Sequence, residues 1–205
     1  MESRPRLAAG LGNPGPAYAD TRHNIGFMVI ETLAARFHIA LAKETEALRW
    51  GRGRVAEIDT VLAQPLAFMN RSGPPLRAAM DRMDIDVGDL VIVHDDLDLE
   101  FGRIKIKAKG GHGGHNGVRS VMDALGRDDF SRVRMGIGRP DPEDSVVDHV
   151  LGGFYPEERT HLDTFVALGR DAVEAILRDG VRESMSAFNR KFEMEAKRKN
   201  GIRSE

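Results

Sequence analysis

The chain has 205 residues, of which 41% are hydrophobic and 30% are charged, and it carries a formal net charge of −2 with no cysteine. This length suits one ordinary domain, and the apolar content is sufficient for a packed core, which excludes a chain that is disordered throughout. The absence of cysteine excludes disulfides, thiolate-bound metals and a cysteine nucleophile. The near-neutral total gives no global indication of a nucleic-acid partner.

The first third of the chain predicts a strand, a tight loop, a helix and a hairpin. A short apolar strand enters the glycine-rich loop Gly10–Gly15. Asp20 and Thr21 are candidate N-caps for a helix over 23–37. Residues 48–64 alternate and contain β-branched side chains, which predicts a hairpin or two paired strands.

The remainder of the chain alternates strands with helices. The predicted elements are a helix over 76–83, a buried strand over 90–93, an alternating strand over 103–109, a helix over 118–125, a strand over 132–138, a long helix over 156–179 and a short helix over 183–188. This order predicts one α/β domain over 1–192, with a mixed, mostly parallel twisted sheet flanked by helices. Residues 193–205 form a basic tail, for which we expect disorder.

No segment indicates export or membrane insertion. Residues 1–6 lack the apolar core of a signal peptide, and no run approaches the roughly 18 apolar residues of a membrane span. We therefore expect a cytoplasmic protein without a membrane partner.

The loop Gly10–Gly15 matches the dinucleotide-binding pattern G-x-G-x-x-G, but its context argues against that function. The fingerprint needs a helix to begin inside the glycine run, so that free N–H groups face a pyrophosphate. Pro14 removes one N–H, and Pro16 follows two residues later. The loop therefore indicates a tight turn, in which Asn13 either caps local backbone or faces a ligand beyond the strand end.

His23 and Asp95 are candidates for acid–base chemistry. His23 lies at the start of a predicted helix, where the macrodipole disfavours the imidazolium, and a neutral imidazole is what a general base requires. Asp95 follows a buried strand and has the chemistry to orient a histidine. The alternatives are a histidine bonded to nearby backbone and a solvated acidic turn. A calcium loop is excluded because its glycine and its twelfth-position acid are missing.

The segment Gly110–Gly117 contains His112 and His115 among five glycines. Two histidines at this spacing are possible zinc ligands, but they lie in a loop and no third ligand has motif spacing. The glycines instead favour close approach of a ligand to the backbone.

Cations are concentrated just before that loop. Residues 101–122 contain five Lys or Arg and no acid, and Arg103, Lys105, Lys107 and Lys109 alternate along one predicted strand face. Either these residues guard an edge strand against aggregation or they bind a phosphate-rich partner. The adjoining glycine loop favours the second interpretation.

Several of these segments together resemble the bacterial-type peptidyl-tRNA hydrolase family. The matching motifs are Gly10-Leu11-Gly12-Asn13-Pro14-Gly15, Tyr18, Thr21-Arg22-His23-Asn24-Ile25-Gly26, Phe68-Met69-Asn70-x-Ser72-Gly73, His94-Asp95-x-Leu97-Asp98, Gly110-Gly111-His112-Gly113-Gly114-His115-Asn116-Gly117 and Gly136-Ile137-Gly138-Arg139-Pro140. Their order covers roughly residues 6–190.

The resemblance implies hydrolysis of the ester between a peptide and the 3′ end of tRNA, by a monomeric α/β enzyme without metal or cofactor. It implies that His23 activates water, that Asp95 orients its imidazole, and that Asn13 distinguishes N-blocked substrates. The residues implied to contact substrate are Tyr18, Phe68, Met69, Asn70, His115 and Asn116. Asn70 or Asn116 donates to the developing oxyanion, a suitable task for a neutral donor. Lys105, Lys107 and Arg134 become candidates for the phosphates of the acceptor stem.

Two other functions remain open at this stage. One is an RNA-binding protein that uses the same fold without turnover. The other is a metal-dependent hydrolase built on Asp95, His112 and His115.

Overall fold

The computed structural model describes residues 4–45 and 47–189. Its seven strands are β1 (Arg6–Gly10), β2 (Lys43–Thr45), β3 (Leu48–Val55), β4 (Ile58–Pro65), β5 (Leu90–Asp96), β6 (Ile104–Lys107) and β7 (Ser131–Gly136). Its helices are α1 (Ile25–Arg36), α2 (Gly73–Met83), α3 (Asn116–Leu125), α4 (Val146–Leu151) and α5 (Pro156–Asp179), and 181–189 are also helical.

The strands form one mixed sheet in the order β2-β3-β4-β1-β5-β7-β6. The four central strands β4, β1, β5 and β7 run parallel, and the antiparallel pairings lie toward the two edges. The predicted α/β class with a mixed sheet is confirmed. The C-terminal ends of β1, β5 and β7 meet at one edge of the sheet, where ligands bind in this architecture.

Alternation along the central strands divides the core into two layers. Leu7 and Ala9 of β1 pack with α2 and α3 on one face, whereas Ala8 packs with α1 and α5 on the other. Both faces of the parallel strands are therefore covered. No helix in the described part of the chain is long and apolar enough to cross a membrane.

Close contact between β1 and α1 depends on two glycines. A Cβ at Gly10 would lie 2.1 Å from the Gly26 carbonyl oxygen, and a Cβ at Gly26 would lie 2.5 Å from the Val93 carbonyl oxygen. Neither side chain can be added without moving backbone. This contact places the start of α1, and the residues just before it, directly beside the ends of β1 and β5.

Most predicted elements are present, with shifts at their ends. Helix α2 starts at Gly73, because Pro74 and Pro75 occupy first-turn positions that need no N–H partner. Strand β6 is shorter than predicted and ends at Lys107. The predicted side-chain cap of the first helix is wrong, because the Thr21 hydroxyl donates instead to the Tyr18 carbonyl at 2.8 Å. Helix α4 was missed because it has only six residues. The predicted tail at 193–205 lies outside the described residues.

Candidate active site

Three side chains meet where β1, β5 and α3 converge. The His23 Nδ1 lies 2.8 Å from Asp95 Oδ1, and the His115 Nε2 lies 2.8 Å from the same oxygen. His23 stands in a 3₁₀ turn over Arg22–Asn24 just before α1, Asp95 is near the end of β5, and His115 is the N-cap of α3. The fold thus brings together residues separated by 72 and 20 positions in the chain.

The tautomer of His115 is set by helix α3. Its Nδ1 accepts hydrogen bonds from the backbone N–H groups of Gly117 (3.1 Å) and Val118 (3.2 Å), which satisfies two donors at the helix start. The ring therefore carries its proton on Nε2 and donates it to Asp95. Since both ring nitrogens are engaged, the predicted contact between His115 and substrate has no free nitrogen to make it.

The carboxylate of Asp95 is held ionised. Burial opposes its charge, but attraction to His23 and His115, and their hydrogen bonds, lower the pKa of Asp95 far below its ordinary value. Burial also tends to lower the pKa of His23, but the charge and hydrogen bond of Asp95 outweigh it, and the pKa of His23 is raised above 6.5. The helix-dipole argument from the sequence therefore predicted the wrong direction for the pKa of His23, because it did not include the charge and hydrogen bond of Asp95.

His94 is a buried histidine that is unsuited to proton transfer with a ligand. Its Nδ1 donates to the Asp95 carbonyl at 2.7 Å, and its Nε2 is buried with no partner among the described residues. Burial and the neighbouring His115 hold the pKa of His94 well below 6.5. Its ring meets that of His115 edge-on, with centroids 4.7 Å apart. His94 is therefore neutral and packs against the ring of His115.

His23 and His115 line a cavity of about 370 Å³, which we call the central cavity. Its lining includes His23, Asp95, His115 and Asn116, together with the paired Asp98 and Arg139. The opposite wall is apolar and comes from helix α4, through Val146, Val147 and Val150. The first two of these valines are 43% and 61% exposed. Valines at a surface give no signal of such a wall in the sequence, because only the fold places them beside His23 and Asp95.

Asn13 lies beside the central cavity but does not line it. Its backbone N–H and carbonyl form a reciprocal pair with the Asn24 side chain, both at 2.9 Å. Its Oδ1 accepts from the Met69 backbone N–H at 2.8 Å. This leaves the Asn13 Nδ2 as the donor without a protein partner in the described chain. Asn13 lines a second cavity, of about 320 Å³, which we call the side pocket.

The other predicted substrate contacts lie in the loop between β1 and α1, at Tyr18, and on the segment after β4. Tyr18 and Phe68 form an edge-on ring pair with centroids 6.5 Å apart, and Phe68 is 58% exposed. Asn70 is exposed, whereas Met69 is buried beneath it. Asn70 and Phe68 are thus accessible to a ligand, and Met69 contributes its backbone N–H to Asn13.

Arg22 fixes the turn that carries His23. Its buried guanidinium donates to the Gly153 carbonyl at 2.6 Å and to Glu158 at 2.8 Å, and its backbone N–H donates to the Gly152 carbonyl. The guanidinium also stacks on the Tyr155 ring, 4.3 Å from the centroid. The turn is therefore tied to the α4–α5 segment that closes the central cavity.

Lys105 and Lys107 lie on β6, which is the edge strand beyond β7 and which we call the cationic strand. Lys105 pairs in register with Arg134, and Lys107 pairs with Arg132. Repulsion by Arg134, with some burial, lowers the pKa of Lys107. Arg134 itself is bound to Asp96, so its charge is already compensated. Lys105 and Lys107 are thus the less compensated cations of this face.

The donor atoms of His23, Asp95 and His115 all lie within 4.8 Å of one another, which is close enough to suggest a metal site. The hydrogen bonds argue against it. A neutral imidazole bound to metal through Nε2 carries its proton on Nδ1, and in His115 that nitrogen faces two N–H donors. His112, the other predicted ligand, accepts from the Gly114 N–H at 3.0 Å and is not part of the cluster.

Comparison with known proteins gives a consistent result. A family model described as peptidyl-tRNA hydrolase matches residues 7–198. The chain is 45% identical over 185 residues to peptidyl-tRNA hydrolase of Bacillus subtilis (strain 168), covering 90% of this chain and 98% of that protein. It is 45% identical over 184 residues to that of Syntrophotalea carbinolica, covering 90% and 96%. The crystal structure of peptidyl-tRNA hydrolase from Acinetobacter baumannii superposes with a TM-score of 0.85 at 36% identity, covering 92% and 96% of the two chains.

Proposed function

The chain belongs to the peptidyl-tRNA hydrolase family, and on that premise we propose that it hydrolyses the ester joining a peptide to the 3′ end of tRNA, with His23 as the general base. One observation carries the assignment of the base. The Nδ1 of His23 is held by ionised Asp95, whereas its Nε2 has no protein partner among the described residues and the ring lines the central cavity. A donating Nδ1 leaves a lone pair on Nε2, which is the form that accepts a proton from water.

The reaction follows from this arrangement. Nε2 of His23 takes a proton from water as its oxygen bonds to the ester carbonyl carbon, and the resulting imidazolium is stabilised by Asp95 at 2.8 Å. The tetrahedral intermediate places a negative charge on the former carbonyl oxygen. Its collapse breaks the bond to the ribose oxygen, which takes the proton back from His23. The products are the free peptide acid and tRNA with a free hydroxyl group.

We assign His115 to positioning Asp95 and not to contacting substrate. It donates to the same oxygen that receives His23, and α3 prevents its ring from turning. Asn116, the next residue, lines the central cavity and is the better placed donor for the oxyanion. Asn70 is exposed at the rim and remains a second candidate for this task.

The cationic strand is the proposed contact for the acceptor stem. Lys105 and Lys107 lie beyond β5, on the side of the sheet to which the central cavity extends through Asp96 and Asp98. Contacts to phosphates read charge and shape without sequence, which suits a substrate class that includes many tRNAs. In line with the resemblance, we also propose that the enzyme acts as a monomer, in the cytoplasm where aminoacylated tRNA is used.

The test is release of N-acetyl-aminoacyl groups from tRNA by the wild type and by His23→Gln. We expect the substitution to lower kcat by at least ~100-fold, as for other acid–base groups, with the affinity for deacylated tRNA unchanged. His161→Gln, at an exposed position on α5, is the matched control and should retain full activity. Near-normal turnover by His23→Gln would remove His23 from this role. Tight tRNA binding without wild-type turnover would favour the RNA-binding function, and loss of activity in EDTA would favour a metal.

A further inference from the structure

We propose that the side pocket binds the peptide portion of the substrate, with Arg49 as the residue that holds its backbone carbonyl oxygen. The proposal rests on the proposed function and extends it to the part of the substrate beyond the ester. The side pocket is lined by the loop Asn13–Pro16, by the α1 residues Phe27, Met28 and Glu31, and by Arg49 and Leu66. It shares no lining residue with the central cavity, and its lining includes Asn13 and Asn24, the latter next to His23 in the chain.

The order of strands places this pocket on the side opposite to the cations. Lys105 and Lys107 are on β6, at one edge of the sheet, whereas Arg49 is on β3, two strands beyond β1 in the other direction. Asp95 on β5 and Asn13 after β1 lie between them. A substrate whose tRNA lies over β6 and whose ester lies at His23 therefore directs its peptide across Asn13 toward the side pocket.

Arg49 gives the side pocket a cationic hydrogen-bond donor. Among the described residues, its buried Nε has no hydrogen-bond partner and no carboxylate forms an ion pair with its guanidinium. A buried donor left unpaired is costly, and an arginine offers five donors. The Nε itself is closed to solvent, so a carbonyl oxygen in the pocket would accept from the terminal N–H groups of this guanidinium.

The opposite wall supplies an acceptor. Glu31 lines the same pocket, and its Oε1 is fixed by the Gln64 amide at 3.0 Å. Gln64 also donates to the Phe27 carbonyl at 3.2 Å, so the carboxylate is held in place from behind. A peptide backbone has both an N–H for Glu31 and a carbonyl for Arg49. Phe27, Met28 and Leu66 provide apolar surface for its side chains.

Substrates of different peptide length distinguish a peptide contact of Arg49 from a structural role or a contact with tRNA. An N-acetyl-aminoacyl group has a single amide, which Asn13 is placed to meet, whereas an N-acetyl-tripeptidyl group has two further amides that reach beyond Asn13. The experiment measures kcat/KM for both substrates on the same tRNA, with the wild type, Arg49→Met and Arg54→Met. Arg54 lies on the same strand, is exposed and pairs only with Glu57 among the described residues, so it is the matched control.

We expect Arg49→Met to lower kcat/KM for the tripeptidyl substrate about tenfold, consistent with loss of one hydrogen bond to a charged group. The acetyl-aminoacyl substrate should change less than twofold, and Arg54→Met should leave both unchanged. Equal loss on both substrates, with a lowered Tm, would show a structural role and overturn the proposal. Weaker binding of deacylated tRNA by Arg49→Met would assign Arg49 to a phosphate instead. A wild type inactive on both substrates would contradict the proposed function itself, which is a separate result.

Discussion

Replacing Asp95 by asparagine tests how the site controls the protonation of His23. In the wild type, one carboxylate oxygen accepts hydrogen bonds from His23 and His115, both at 2.8 Å. An amide in this position would ordinarily be free to rotate and present its NH₂ group to His23. That orientation would force the proton of His23 onto Nε2 and remove the base, a change that costs on the order of 10⁴-fold in a serine protease triad.

Here His115 should prevent that rotation. Its Nδ1 accepts from two backbone N–H groups of α3, so its Nε2 must donate, and only the amide oxygen can receive it. The amide in Asp95→Asn therefore keeps its oxygen toward both histidines. The variant lacks the negative charge of the carboxylate, but His23 keeps its proton on Nδ1. Hydrogen bonds to charged groups contribute about 1.5–3 kcal/mol against about 0.5–1.5 for neutral ones, a difference of about 1–1.5 kcal/mol, so we expect a loss of roughly 5- to 13-fold in kcat.

The pH profile of kcat checks the same reasoning. His23 must be neutral to accept a proton, so activity falls as the pH drops through its pKa, which Asp95 holds above 6.5. In Asp95→Asn burial acts without the opposing charge, so the pKa of His23 falls and the acidic limb moves to lower pH. Combining the substitution with His115→Ala should free the amide and cause a further loss of at least ~100-fold. A 10⁴-fold loss in Asp95→Asn alone, with no shift of the acidic limb, would refute this account of His115.

Three further predictions concern the partner surface and the stability of the fold. Lys105→Ala with Lys107→Ala should weaken tRNA binding and reduce its salt dependence, and an unchanged salt slope in a filter-binding titration would remove this strand from the interface. His94 is held neutral, with a pKa well below 6.5. As the pH drops, His94 therefore binds a proton in the unfolded state before it does so in the folded state, and the free energy of unfolding falls below about pH 6.5, by up to ~1.4 kcal/mol per pH unit. Urea titrations of His94→Gln should show a smaller fall in this free energy over the same pH range. An equal fall would contradict the assignment of a neutral His94. Gly26→Ala should destabilise the protein by about 3 kcal/mol or more, because its Cβ would lie 2.5 Å from a carbonyl oxygen, whereas Gly88→Ala, with nothing within 4 Å, should leave the Tm nearly unchanged.

The sequence identified candidate site residues but not their arrangement. His23 and Asp95 were identifiable because a histidine before a helix and an acid after a buried strand are both suited to acid–base chemistry. Asn13, Asn70 and Asn116 entered through the resemblance, since an isolated asparagine in a loop gives no signal of its own. The long helix over 156–179 was predicted to the residue, because its periodic pattern begins at a proline and ends before Gly180.

The properties that came only from the tertiary structure are those that depend on distant residues meeting. The raised pKa of His23 depends on Asp95, 72 positions away, and so the local helix dipole gave the wrong direction. Only the fold shows that both nitrogens of His115 are engaged, one by α3 and the other by Asp95. Arg49 is unremarkable in a strand of alternating residues, and only the tertiary structure shows that its Nε is buried and, among the described residues, unpaired. Composition and pattern thus determined the fold class and the chemistry available, because both follow from local residue types. The protonation states and the path open to a ligand were decided by packing, because charge and burial act through space and not along the chain.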